Sequence, residues 1–110
     1  MSKLSKAYAL IVGVGNDLPT TVLDATAIYN ILVNEELAGY PEENIILLTE
    51  DKATRQGILS GFDELISKID EDASVMLFYS GHGGFYEPWN QFYLVPNDFD
   101  ADDYDTTWIT

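Results

Sequence analysis

The sequence predicts one α/β domain with a mainly parallel sheet and a β-α-β-α-β start. Three observations carry that reading. Short, continuously apolar runs fall at residues 8–14, 45–48 and 75–79, the pattern of strands buried on both faces. Two stretches with apolar residues at helical spacing lie between them. Glycines or polar clusters bound every run. Strands that alternate with helices lie parallel and join through right-handed crossovers.

Taken in order, residues 8–14 form the first strand and end in Gly13-Val14-Gly15. Asp17-Leu18-Pro19-Thr20-Thr21 is a polar loop. Thr21 with Asp24 three positions on resembles a capping box, with Asp in place of the usual Glu or Gln. Ala25, Ile28, Leu32 and Leu37 then mark a first helix reaching about Ala38, stopped by Gly39 and Pro41. Residues 45–48 are the second strand. After Thr49-Glu50-Asp51-Lys52, Thr54 is the N-cap of a second helix whose stripe is Ile58, Phe62, Leu65, Ile66 and Ile69. Residues 75–79 are a third buried strand that runs into Ser80-Gly81-His82-Gly83-Gly84. Beyond Gly84 the helical pattern stops. Gln91-Phe92-Tyr93-Leu94-Val95 reads as a short strand and residues 98–105 as an acidic loop, and Trp108-Ile109-Thr110 begins an element that the chain does not finish. Phe85, Tyr86, Trp89, Phe92 and Tyr93 read as core or contact residues.

The 110 residues fit a single small domain, with no internal repeat or linker. An apolar share of 46% supports a folded core. Nineteen acids against five bases give a net charge of −14. That excess argues against nucleic acid, whose phosphates need a basic patch, and against anionic membrane surfaces. With no cysteine, these residues contain no disulfide, thiolate metal site or thiol nucleophile. The opening Met1-Ser2-Lys3 and the apolar stretch after it imitate a signal peptide, but the run passes into Gly13-Val14-Gly15-Asn16-Asp17 without a small-residue cleavage site. No run approaches the roughly 20 apolar residues of a membrane helix. The expected location is cytoplasmic.

Ligands of open parallel sheets gather at the carboxyl ends of the strands. Two loops lie there: residues 15–21 after strand one and residues 80–84 after strand three. The second holds His82, the single histidine, among Gly81, Gly83 and Gly84. A lone histidine is commonly structural. In a glycine turn, however, an imidazole and exposed backbone N–H groups can combine a general base with an oxyanion site. No serine sits in a Gly-x-Ser-x-Gly elbow. Gly13-x-Gly15 is no dinucleotide fingerprint, because Leu18 takes the place of the third glycine. A phospho-receiver domain would need an Asp closing strand three, where Tyr79-Ser80-Gly81-His82 stands instead.

Phe78-Tyr79-Ser80-Gly81-His82-Gly83 resembles the catalytic-histidine motif of the caspase, metacaspase and bacterial caspase-like cysteine peptidases. Tyr8-Ala9-Leu10-Ile11-Val12-Gly13-Val14 is similar to their first strand, and Leu23-Asp24-Ala25 to their Asn-Asp-Ala segment. Leu47-Leu48-Thr49 with Ala53-Thr54 resembles the second strand and second-helix start. Tyr93-Leu94-Val95-Pro96-Asn97-Asp98 resembles the stretch before the nucleophile region. The resemblance implies a three-layer, Rossmann-like caspase fold, incomplete at its C-terminus, with residues 1–110 as the N-terminal portion of the peptidase domain. It implies that His82 is the base, that Gly83 offers its N–H to the oxyanion, and that Ser80 and Asp24 line the pocket for the residue before the scissile bond.

The caspase nucleophile lies about 50 residues beyond the histidine, whereas 28 residues follow His82. The expected partners are therefore a protein or peptide substrate and a Cys-bearing C-terminal part, on the same polypeptide or a separate chain. Without that part the expectation is no activity. The alternative is a non-catalytic regulatory or scaffold module of the same family. Residues 16–23 contain Asp17 and no Lys or Arg, and Asp24 follows, so cleavage after Arg or Lys is expected. Asp24 also reads as a first-turn acid favoured by the helix dipole. Asp98, Asp100, Asp102, Asp103 and Asp105 are calcium candidates by charge, and some metacaspases are calcium-activated. Their spacing matches no EF-hand, a solvated loop is the plainer reading, and no cofactor is expected.

Overall fold

The computed structural model describes residues 5–110; residues 1–4, where the signal-like opening begins, lie outside the described residues. Strand β1 (Ala7–Gly13) is the middle of a three-stranded sheet in the order β2-β1-β3, with β2 spanning Ile45–Thr49 and β3 Ser74–Ser80. Both pairings are parallel, and at the carboxyl end Gly13 stands opposite Thr49 on one side and Ser80 on the other. Parallel neighbours need crossovers, and helices α1 (Thr20–Val33) and α2 (Arg55–Lys68) supply them.

Successive side chains of β1 point to opposite faces, and both faces are apolar. Ala9 and Ile11 pack with Ala25 and Leu32 of α1. Leu10, Val12 and Val14 pack with Ile58 and Leu65 of α2. One helix therefore covers each face, giving the three layers that the resemblance implies. Thr54 caps α2 as read, its hydroxyl accepting from the Gly57 N–H at 3.0 Å.

Helix α1 departs from the reading at both ends. It stops at Val33 rather than Ala38, because Asn34 turns the chain. The Asn34 side-chain oxygen accepts from the Glu36 N–H, and its carbonyl accepts from Leu37 and Gly39. Such local bonds compete with the helix ladder. Leu37 consequently lies exposed rather than in the stripe. At the start, Pro19 is the capping position and makes no side-chain bond. Thr21 makes no capping box with Asp24: it is buried inside the first turn. Ile66 of α2 also faces solvent, off the packed stripe.

Strand β3 pairs only with β1 among the described residues, so it is an edge rather than a strand buried on both faces. Its Val75 and Leu77 are 43% and 56% exposed. After it the chain forms an antiparallel hairpin of β4 (Gly83–Tyr86) and β5 (Gln91–Leu94). The acidic stretch is not a plain loop: a 3₁₀ turn at Ala101–Asp103 leads into the short helix α3 (Tyr104–Thr107). Ile109 then returns to bridge Leu94. Trp108 is buried and stacks on Tyr93 at 4.8 Å, beside Tyr86, Trp89 and Tyr104.

Candidate active site

The register of the sheet creates the site. Because Gly13 stands opposite Ser80, the loops leaving β1 and β3 emerge side by side, and the Val14 N–H donates to the Ser80 carbonyl at 3.1 Å.

The first loop is a tight turn. The Leu18 N–H closes on the Gly15 carbonyl at 3.0 Å, with Asn16 and Asp17 between. Gly15 has φ +76°, which glycine alone adopts without strain, and Asn16 has φ 57°. Thr21 clamps the turn from beneath. Its hydroxyl accepts from the Gly15 N–H at 2.8 Å and donates to the Leu18 carbonyl at 2.7 Å. Asn97 clamps it from the side. Its amide donates to the Val14 carbonyl at 2.9 Å and to the Asn16 side chain at 3.1 Å, while the Asn16 amide donates to the Asn97 carbonyl at 2.7 Å.

The second loop carries His82, whose backbone is held on two sides. Its carbonyl accepts from the Val95 N–H at 3.0 Å and from the Tyr79 hydroxyl at 2.8 Å. Burial is the main cause that raises the Tyr79 phenol above its usual value, so it stays a donor at neutral pH. Gly81 has to be small: a Cβ there would fall 2.8 Å from Val14 and 2.9 Å from the Tyr79 oxygen. The imidazole itself is 54% exposed and meets the Asp17 carboxylate, with Nε2 3.1 Å from Oδ2.

Gly83 stands opposite Leu94 in the hairpin. Leu94 uses both of its backbone groups on Ile109, at 2.7 and 3.1 Å. The Gly83–Leu94 pair is thus of the non-hydrogen-bonded kind, and the Gly83 N–H turns away from β5. The Ser80 hydroxyl reaches Asp24 Oδ2 at 3.4 Å, a long hydrogen bond that joins the two residues expected to share a pocket. Asp24 is exposed, so charge rather than burial would be its attraction for a cation.

A model of the caspase domain family matches residues 6–108. The chain belongs to the caspase domain family. Metacaspase-1 of Saccharomyces cerevisiae is 33% identical over 87 residues, which is 69% of this chain and 20% of that protein. Metacaspase-1 of Eremothecium gossypii is 32% identical over 87 residues, 69% of this chain and 19% of that protein. Metacaspase-1A of Aspergillus oryzae is 38% identical over 52 residues, covering 42% and 12%. The caspase-domain chain spans about a fifth of the length of the curated relatives it matches. Its parallel sheet between two helices is the α/β caspase-like fold, in part.

The carboxylates of the acidic stretch in this caspase-domain chain take backbone N–H groups as partners. Asp98 accepts from the Arg55 N–H at 2.9 Å, and Asp100 from the Asp102 N–H at 2.9 Å. Asp102 and Asp103 lie in the turn that follows, and no group of three or more possible ligands converges among the described residues. Among those residues, too, no helix is long and apolar enough to cross a membrane. Three residues of the site went unread in the sequence. In the sequence Asp17 is an acid of the segment before Asp24, Tyr79 a member of the histidine motif and Asn97 a member of the stretch before the nucleophile region, none with a contact of its own. Asp17 meets His82 across 65 positions and Asn97 meets Val14 across 83, where no local pattern can point, and Tyr79 bonds Val95 across 16 as well as its near neighbour His82.

Proposed function

We propose that this chain supplies the histidine half of a caspase-like cysteine endopeptidase, with the nucleophilic thiol carried by residues outside these 110. The observation that supports it most is the exposed imidazole of His82, at the carboxyl end of β3 and with its backbone held on two sides. In this reading the imidazole takes the thiol proton, and the thiolate attacks the scissile carbonyl of a protein or peptide substrate. The Gly83 N–H donates to the oxyanion that forms. The imidazolium then protonates the leaving amine. Water, deprotonated by the same imidazole, releases the acyl group and restores the thiol. Ser80 and Asp24 line the pocket before the scissile bond, and the Asp24 carboxylate selects Arg or Lys there. The chain alone is inactive in this reading.

The test joins the chain to a Cys-bearing remainder and offers peptides with Arg, Lys or Asp before the scissile bond. Cleavage after Arg and Lys is expected, with His82→Ala lowering kcat by about a hundredfold or more. Cleavage after Asp would overturn the specificity, and no cleavage of any of them would overturn the peptidase reading in favour of a non-catalytic module.

A further inference from the structure

We propose that Asp17 is the positioning carboxylate of His82: it holds Nε2, so that Nδ1 is the nitrogen offered to the thiol. The inference rests on the peptidase reading for its catalytic part. The 3.1 Å contact between Nε2 and Oδ2 assigns which ring nitrogen each side receives. A neutral imidazole that donates from Nε2 leaves a lone pair on Nδ1, and that lone pair is what removes a proton. Freezing the ring in one tautomer and one orientation is the service a carboxylate gives a catalytic histidine.

Both partners are anchored independently of each other. Asp17 sits in a turn closed by the Leu18 N–H, clamped from beneath by the buried Thr21 hydroxyl and from the side by Asn97. His82 is anchored through its carbonyl by Val95 and Tyr79. Neither backbone has to be reorganised for the contact to form. Asp24, the neighbouring acid, is engaged by Ser80 instead, so the two carboxylates divide the work: one faces the base and the other the specificity pocket.

His82 is the single histidine, so ring-nitrogen NMR of the intact chain reports on it alone. In alkaline buffer, where an imidazole is neutral, the Nε2-protonated tautomer is expected to predominate. Asp17→Ala should lower its ratio to the Nδ1-protonated form about three- to tenfold, the scale of one exposed charge-assisted bond. Asp17→Glu should restore part of the ratio, and Asp72→Asn, at the far end of β3, should leave it unchanged. With the Cys-bearing part present, Asp17→Ala should lower kcat about tenfold at unchanged KM, far less than a buried His–Asp pair would lose. An unchanged tautomer ratio in Asp17→Ala overturns the proposal, and so does a shifted ratio with full kcat. Absence of all cleavage with Asp17 in place would instead overturn the peptidase reading, while the ratio still decides whether Asp17 holds the ring.

Discussion

The Tyr79 hydroxyl faces the carbonyls of His82, 2.8 Å away, and Val95, 3.0 Å away, and its oxygen accepts from the Val95 N–H at 3.2 Å. One phenol thus ties the turn of the histidine to the strand that follows it. Burial raises the phenol above its usual value, and burial does the same for Tyr29. A group whose value is raised on folding stabilises the fold below its unfolded value, near 10 for tyrosine, and that stability is lost as pH climbs through the folded value. Stability measured in urea should therefore hold up to about pH 10 and fall beyond it. Tyr79→Phe should lose about 1 kcal/mol at neutral pH from the missing hydrogen bonds, and its alkaline decline should be shallower. An alkaline limb as steep in Tyr79→Phe as in the parent chain would contradict this account.

Helix α2 shows what an element can disclose on its own. Its cap, Thr54, and its stripe of Ile58 and Leu65 are local features, and each packs or bonds as its spacing says. Thr54→Ala should lower stability by about 1 kcal/mol in a thermal or chemical melt and leave the tautomer of His82 unchanged, because the hydroxyl it removes bonds to the Gly57 N–H, within the helix. The three parallel strands were legible for the same local reason, as continuous apolar runs. The end of α1 was not: an asparagine side chain 2.9 Å from the Glu36 N–H outcompeted a stripe that ran on to Leu37. Nor was β4 legible, since Gly83 and Gly84 disfavour a strand until a partner such as β5 pairs with them. At the candidate site, His82, Gly83, Ser80 and Asp24 are proposed from one motif and one segment that resemble the family. The carboxylate against the ring could not be named so, because a contact across 65 positions depends on strand order and not on neighbours in sequence.

At the scale of the molecule two forces oppose each other. The net charge of −14 keeps copies apart. Against it stand exposed apolar side chains, Leu77 56%, Phe92 73% and Trp89 53%, and a side of β3 that pairs with no strand among the described residues. Salt screens the first force and leaves the second intact. Sedimentation should therefore show more association between copies of the chain at high than at low ionic strength, and Leu77→Lys should reduce it. Association that weakens as salt rises would mean that the contacts are ionic.

The place of β1 in the middle of the sheet has a consequence for timing. Its neighbours arrive from residues 45 and 74, so Asp17 and His82 meet only once the second crossover has closed. A half-made molecule, however much helix it contains, has no paired imidazole. The contact between ring and carboxylate is a product of completed strand pairing, and a copy whose third strand is not yet paired lacks it.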